Sequence, residues 1–325
     1  METKSQRVSS LKAGMRVDAA YVLKRKLLKK NPDGSRFVLF QFSDSTGVIG
    51  GILWDDAEIT YKRLAQGGFV RLVGEVQTYR DTQQVRVFQV EPLEGERLDL
   101  ADFLPVTPYD RDELFAEWMG HVDAISDPVL AALLRDMAED EDLSWRFRSA
   151  PAGKTWHHPY VGGLLEHVVK LSRIAKAICD LYPELDRDLM MAACYLHDLG
   201  KVRELDYAAA IEYNSEGRLV GHVVQGVEIL DEFLPRHPEL SRETAIRLKH
   251  LIVSHQGTYE YGSPKLPMSL EAIAFHHIDN LDAQIDGFAR VIREGRESQG
   301  EDSHWTGIHR LLGRPLFIGE DRHGD

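Results

Sequence analysis

DLMMAACYLHDLGK, residues 188–201, reads as an apolar helix that ends on a polar pair. Leu, Met and Ala favour helix; His197 and Asp198 follow at its end, and Gly200 is suited to stop it in a left-handed conformation. The pair faces apolar positions, and a buried carboxylate is costly unless it is paired or metal-bound. A lone histidine on an apolar face is ordinarily a hydrogen-bonded core residue, and that reading stays open for each histidine of this chain. The adjacent aspartate turns attention to a cation site, because the two side chains supply one nitrogen and one oxygen ligand.

Working outward, the same helical pattern covers everything after residue 110. His167 lies in GGLLEHVVKLSRIAKAI (162–178), with Leu164, Leu165, Val168 and Leu171 as its apolar face. His222 begins a helix, His255 ends another, and Asp279 sits inside EAIAFHHIDNLDAQIDGF (271–288). The expected helices span 114–124, 128–144, 162–181, 187–196, 220–233, 242–254 and 270–293, and an apolar tail at 305–318 is expected to pack back onto them. Folding of these stripes into one bundle would bring the polar groups together, and Asp198 and Asp279 in one interior would repel without a cation.

The N-terminal part has a different period. Strands are expected at Met15–Leu28, Phe37–Phe42, Val48–Trp54, Phe69–Tyr79 and Val85–Val90, with turns at Asn31–Gly34 and Asp44–Gly47 and a connection around Asp81-Thr82-Gln83. A helical link at 55–65 separates the third and fourth strands. Five short strands with that link describe an OB-type barrel; an unrelated small barrel or sandwich is the alternative. The chain is thus expected to be multidomain: an all-β OB-type domain over 1–93, a linker over 94–110 within the proline-containing EPLEGERLDLADFLPVTPYD (91–110), and an all-α bundle over 111–325.

Charge separates along the same division. The formal net charge is −13, yet residues 1–90 hold 15 Lys and Arg against 9 Asp and Glu, a net of +6, leaving −19 on the rest. A basic module on an acidic remainder permits a polyanion ligand that the whole-chain charge would disfavour. Lys24-Arg25-Lys26, Lys29-Lys30, Arg36, Arg71, Arg80 and Arg86 interleave with Phe37, Phe40, Phe42, Trp54, Phe69, Tyr79 and Phe88. Basic and aromatic side chains together suit single-stranded nucleic acid, through phosphate attraction and base stacking, although a barrel must bury some of these rings. Lys24, Lys26, Arg36 and Phe42 are the residues expected to touch the strand.

No apolar run reaches the roughly 20 residues needed to cross a bilayer, and METKSQRVSS lacks the apolar core of a secretory signal; a cytoplasmic location and no membrane partner are expected. Cys179 and Cys194, both in apolar helical patterns, read as buried free thiols rather than a disulfide.

The ordered set His167…His197-Asp198…Asp279 resembles the HD phosphohydrolase superfamily. With HHPYVGGLLEHVV (157–169), HDLGKVRELDY (197–207), GRLVGHVVQG (217–226), LIVSHQGTYEYGSPKLPMSLEA (251–272) and HHIDNLDA (276–283), almost the whole chain resembles the YhaM family of 3′-to-5′ exoribonucleases. That resemblance implies an OB-type nucleic-acid-binding domain before an HD domain, and metal-dependent hydrolysis of single-stranded RNA, with single-stranded DNA as a further substrate, to nucleoside 5′-monophosphates. It implies His167, His197, Asp198 and Asp279 as a first metal set, His222 and His255 as ligands of a second ion, and Asp198 as the bridge between one or two divalent cations. The family association is with Mn²⁺; the mixed nitrogen and oxygen donors also suit Fe²⁺, Ni²⁺ or Zn²⁺. Asp198, His197 and Lys201 are the expected catalytic residues, Lys201 on a substrate phosphate. Arg203, His158, one of His276 and His277, and Tyr259, Tyr261 and Lys265 of the YEYGSPKLP loop are expected near the substrate. Gln256 departs from the family pattern, where a second histidine tends to follow the one matching His255. Hydrolysis of a small nucleotide or cyclic dinucleotide is the enzymatic alternative, and a non-catalytic RNA-binding protein is the other. Edge strands and the apolar tail leave self-association to a homo-oligomer open.

Overall fold

The structure, a computed structural model, describes residues 6–80, 82–93, 100–207, 210–299 and 304–319. It divides into two compact units, Met1–Val106 with Asp206–Glu212, and Thr107–Leu205 with Tyr213–Asp325.

The first unit is a closed barrel of β1 (Arg16–Lys30), β2 (Arg36–Asp44), β3 (Gly47–Leu53), β4 (Phe69–Tyr79) and β5 (Thr82–Pro92), in the order β1-β2-β3-β5-β4. Helix α1 (Ala57–Arg63) joins β3 to β4, and β3 and β5 pair in parallel. This is the OB-type barrel expected from the strand pattern. Alternation drives it: on β4, Val70, Leu72 and Val76 turn inward while Arg71 and Glu75 face out. On β2 the inward set is Val38, Phe40 and Phe42. A Cβ at Gly51 of β3 would stand 2.6 Å from the Phe42 ring, so that glycine makes the room the ring fills. Asp81 of the expected β4–β5 connection lies outside the described residues.

The segment expected to be a linker is part structure. A 3-10 turn at Leu100–Asp102 leads to buried Phe103, which packs on Val22 and on Phe69 with ring centroids 4.8 Å apart. Residues 94–99 lie outside the described residues.

The second unit is helical: α2 (Arg111–Asp123), α3 (Pro128–Glu139), α4 (Glu141–Ser149), α5 (Gly163–Leu181), α6 (Arg187–Leu196), α7 (Lys201–Glu204), α8 (Ser215–Leu219), α9 (His222–Phe233), α10 (Arg242–Ser254) and α11 (Leu270–Gln299). Every residue of α6 from Leu189 to Leu196 is buried, and α5 packs on α2, α4, α6 and α11. The single helix expected at 128–144 is two, because Asp140 leaves helical geometry and accepts from Leu143 N as the N-cap of α4. The tail returns as expected: Thr306, Leu316 and Ile318 are buried, and Thr306 and Ile318 lie beside Gly295 of α11. Cys179 and Cys194 are buried free thiols. Among the described residues no helix is long and apolar enough to cross a membrane.

Gly200 corrects one expectation. It does not stop α6 in a left-handed conformation; its φ of −59° and ψ of −20° are right-handed, and the chain turns directly into α7. Its value is space, since a Cβ there would lie 1.9 Å from the His222 carbonyl oxygen and 2.7 Å from Gly226 N. The missing side chain lets α9 approach the His-Asp turn.

Candidate metal centre

Four helices deliver imidazoles to one buried place. His167 comes from the second turn of α5, His197 caps α6, His222 opens α9 and His255 caps α10, while α11 contributes Asp279. Each imidazole has its Nδ1 engaged, which directs Nε2 to the centre. His197 Nδ1 donates to the carbonyls of Ala193 and Cys194 at 3.1 Å, and His255 Nδ1 to the Ile252 carbonyl at 2.7 Å. His222 Nδ1 meets Glu204 Oε1 at 3.0 Å, and His167 Nδ1 meets Asp282 Oδ2 at 2.7 Å. Hydrogen bonds of this kind fix tautomer and orientation in histidine ligands.

Two donor groups result, and Asp198 belongs to both. His167 Nε2 and His197 Nε2 are 3.2 Å apart, with Asp279 Oδ1 at 3.2 Å from the first and 3.7 Å from the second. Asp198 Oδ2 stands 3.3 Å from His197 Nε2. Its other oxygen, Oδ1, faces His222 Nε2 at 3.4 Å and His255 Nε2 at 3.6 Å. Both triads, His167–His197–Asp279 and Asp198–His222–His255, hold their donor atoms close enough for one cation each. The chemistry fits: Asp198 Oδ1 is buried without a hydrogen-bond partner, and an orphaned carboxylate oxygen beside two nitrogen lone pairs is a site for a positive ion.

Charge explains the protonation states. Burial alone would raise the carboxyl of Asp198, but Lys201 and His197 hold it well below the ordinary range. Asp279 is likewise lowered, burial being outweighed by His197 and His167. Burial pushes His255 down to about 4, so it is neutral at pH 7, the form that binds metal. His167 moves the other way, to about 9; burial lowers it but hydrogen bonds to Asp279 and Asp282 prevail.

Several expectations for the substrate side change. Lys201 is buried, with Nζ 2.5 Å from Asp198 Oδ2 and a further bond to the Ala152 carbonyl. Its charge therefore already neutralises Asp198. His158 is fully buried behind His167 rather than beside substrate. Arg203 forms a two-point ion pair with Glu232 at 2.9 and 2.7 Å. Tyr259 and Lys265 are exposed, and neither lines the cavity over the centre, whereas Tyr261 does. In the barrel, Phe42 is core because its parity on β2 points inward. Lys26 Nζ donates to the carbonyls of Tyr61 and Leu64, closing the end of α1. Lys24 is exposed, and Arg36 is exposed in an ion pair with Glu58 at 2.8 Å. Trp54, Tyr79 and Phe88 are the barrel rings left outside, the last two each with an arginine over the ring.

The cavity, about 300 Å³, opens onto Asp198, Lys201, His255 and Asp279. His276 lines it, its Nδ1 held 2.8 Å from the His255 carbonyl, while His277 is exposed. Gln256 also lines it, with Nε2 3.0 Å from His255 Nε2 and 3.5 Å from His222 Nε2. Sequence reading missed His157, Trp156, Asn280 and Gln284 on its wall. It also missed Glu204 and Asp282 as orienting groups. Asp279, Asp282 and Asp286 at i, i+3 and i+7 share one helix face, and that spacing was the available signal.

The HD domain family model matches residues 164–284, the span that holds all six candidate ligands. Over 308 residues the chain is 33% identical to the 3′-5′ exoribonuclease YhaM of Bacillus subtilis (strain 168), covering 94% of this chain and 96% of that protein. The chain belongs to the YhaM family. The YhaM protein of Listeria welshimeri serovar 6b is 32% identical over 323 residues, with 96% of this chain and 99% of the relative covered. Both units therefore lie within the YhaM match. Among solved structures, the second OB-fold domain of replication protein A from Methanococcus maripaludis is similar at 18% identity, covering 29% of this chain and 98% of that one, with a TM-score of 0.24.

Proposed function

We propose that this protein is a Mn²⁺-dependent exoribonuclease that shortens single-stranded RNA from its 3′ end and releases nucleoside 5′-monophosphates. The observation that carries the reading is the unpartnered Asp198 Oδ1 between His222 and His255, in a chain whose full-length relatives bear the name 3′-5′ exoribonuclease. His167, His197, Asp198 and Asp279 would hold one cation, and Asp198, His222 and His255 a second. What a divalent cation supplies at such a centre is Lewis-acid stabilisation of charge developing on a phosphoryl group, and a more acidic attacking water. The chain's own residues do the rest. Lys201 balances the charge of Asp198. The backed imidazoles keep their Nε2 atoms in place without rearrangement during reaction. Gln256 and His276, on the cavity wall, are placed to orient the terminal nucleotide.

The barrel over 1–93 would retain the strand, with Trp54, Tyr79 and Phe88 as stacking surfaces and Lys24 and Arg36 as phosphate contacts. A cytoplasmic location, where such an enzyme would meet RNA, is part of the proposal. A 5′-labelled single-stranded RNA digested with Mn²⁺ tests the reading. A descending ladder from wild type, reduced by about 10³-fold or more in Asp198→Ala on loss of several kcal/mol of charge stabilisation, is the expected result. Internal fragments would indicate an endonuclease. Inactivity on RNA with turnover of a mononucleotide diester would favour a small-nucleotide hydrolase, a reading the cavity volume also accommodates.

A further inference from the structure

Behind His167 runs a file of buried polar groups that ligand geometry alone does not require. Asp282 Oδ2 lies 2.7 Å from His167 Nδ1 and 2.9 Å from His158 Nε2. His158 Nδ1 is 2.6 Å from the Tyr160 hydroxyl, and that hydroxyl donates to Glu166 Oε2 at 2.9 Å. Thr107 Oγ1 donates to the same Glu166 oxygen at 2.6 Å, and Lys170 Nζ stands 2.7 Å from the other. The file thus runs from the centre to a partly exposed lysine without an unsatisfied member.

Its backbone is held as firmly as its side chains. His158 has a φ of 42°, left-handed for a non-glycine residue. Its N–H donates to Asp286 Oδ2 at 2.7 Å, and its carbonyl passes so near Gly163 that a Cβ there would sit 2.1 Å away. Such strained positions persist where the surroundings over-determine them, and they concentrate at functional sites. His158, His167 and Asp282 are close enough together to hold a cation themselves. Their facing atoms, however, already sit at hydrogen-bond distance from one another, whereas Asp198 Oδ1 has no partner. The first group is therefore a support and the second a ligand set.

We propose that Asp282 and His158 are positioning residues of the metal centre, locking His167 with its proton on Nδ1 and its Nε2 lone pair aimed at Asp198 and Asp279. An ionised carboxylate can only accept, and Asp282 stands closer to Nδ1, at 2.7 Å, than Asp279 does to Nε2, at 3.2 Å, so a neutral His167 keeps its proton on Nδ1. The inference rests on the reading of His167 as a metal ligand. Partners of this type change metal affinity by about 10- to 100-fold.

The test uses the full-length protein freed of metal, with Asp282→Ala, Asp282→Asn and His158→Gln. Two quantities are read: Mn²⁺ affinity by calorimetry, and the tautomer of His167 from imidazole ¹⁵N shifts without metal, recorded above pH 9, where the ring has given up its second proton. Asp282→Ala is expected to weaken Mn²⁺ binding about 10- to 100-fold and to turn a single Nδ1–H tautomer into a mixture. Asp282→Asn, whose amide oxygen still accepts from Nδ1–H, should recover most of both, and His158→Gln should fall between. Wild-type affinity and tautomer in Asp282→Ala overturn the proposal, as does an asparagine variant no better than alanine. If Asp282→Ala does not fold, His158→Gln decides: unchanged affinity and tautomer overturn it. Wild type that takes up no Mn²⁺ overturns the metal reading instead, and the tautomer signal tells the two failures apart.

Discussion

The two units place their polar residues in opposite ways. The barrel's core cluster is apolar, built from side chains such as Tyr21, Leu23, Val38, Phe42, Leu72 and Val85; Arg71 pairs with Asp18 on the outside, and buried Asp44 is satisfied at the β2–β3 turn by Val8 N and Thr46. The helical unit buries His158, His167, His197, Asp198, Lys201, His255 and Asp282 at its centre. A strand sorts its two faces by simple alternation, so the barrel's core cluster closes on apolar contacts. The helices converge on groups that are costly to bury, and each must meet a partner. The barrel should thus be stable by itself in the sense of needing no ligand, while the helical core should respond to one.

The sharpest way to break that contrast is a pair of core substitutions. Lys201→Met removes the cation paired with buried Asp198, and loss of one partner of a buried pair costs about 3–5 kcal/mol. Phe42→Ala removes a buried ring from the barrel, also at about 3–5 kcal/mol. Denaturation with and without Mn²⁺ should show part of the Lys201→Met loss returned by the ion and none of the Phe42→Ala loss. Equal responses would erase the distinction.

Gly200→Ala probes the packing that admits α9. The added Cβ meets backbone, not a flexible side chain, so a loss of about 3 kcal/mol is expected, with weaker Mn²⁺ binding through displaced His222. A variant as stable as wild type would show that α9 moves freely, against the close approach described above.

The smallest effect concerns pH. Burial raises the Cys194 thiol to about 12, against an opposing bond from Ser172; an exposed thiol titrates near 8.5. The native state holds this proton more tightly, so the contribution is complete below about pH 8.5 and is lost as pH rises toward the folded value. At pH 10 the wild type should therefore have lost on the order of 2 kcal/mol more, relative to pH 7, than Cys194→Ala. Parallel pH dependences would refute it.

Much of the fold was legible in local pattern. The bounds expected for α6, α10 and β4 coincide with those observed, Arg187–Leu196, Arg242–Ser254 and Phe69–Tyr79, because each segment has one dominant period. Phe42 was misjudged because β2 is apolar on both faces, so alternation could not say which ring turns inward until Gly51 of β3 provided the space. His158 was misjudged for a different reason. A histidine four residues before Gly162-Gly163 looks available, and only the return of α11 with Asp282 and Asp286 buries it.

By itself, then, the sequence determined which residues offer metal-binding and basic side chains: the helix ending in His197-Asp198, the further histidines, Asp279, and a basic strand domain ahead of them. Periodicity and residue type are local properties, and they survive in a linear reading. Only the tertiary structure decided which atoms meet. It set Asp198 between two donor groups, committed Lys201 to Asp198, and placed Asp282 behind His167. Those outcomes depend on the approach of helices far apart in the chain, with Gly200 admitting α9 to the turn where His197 and Asp198 lie.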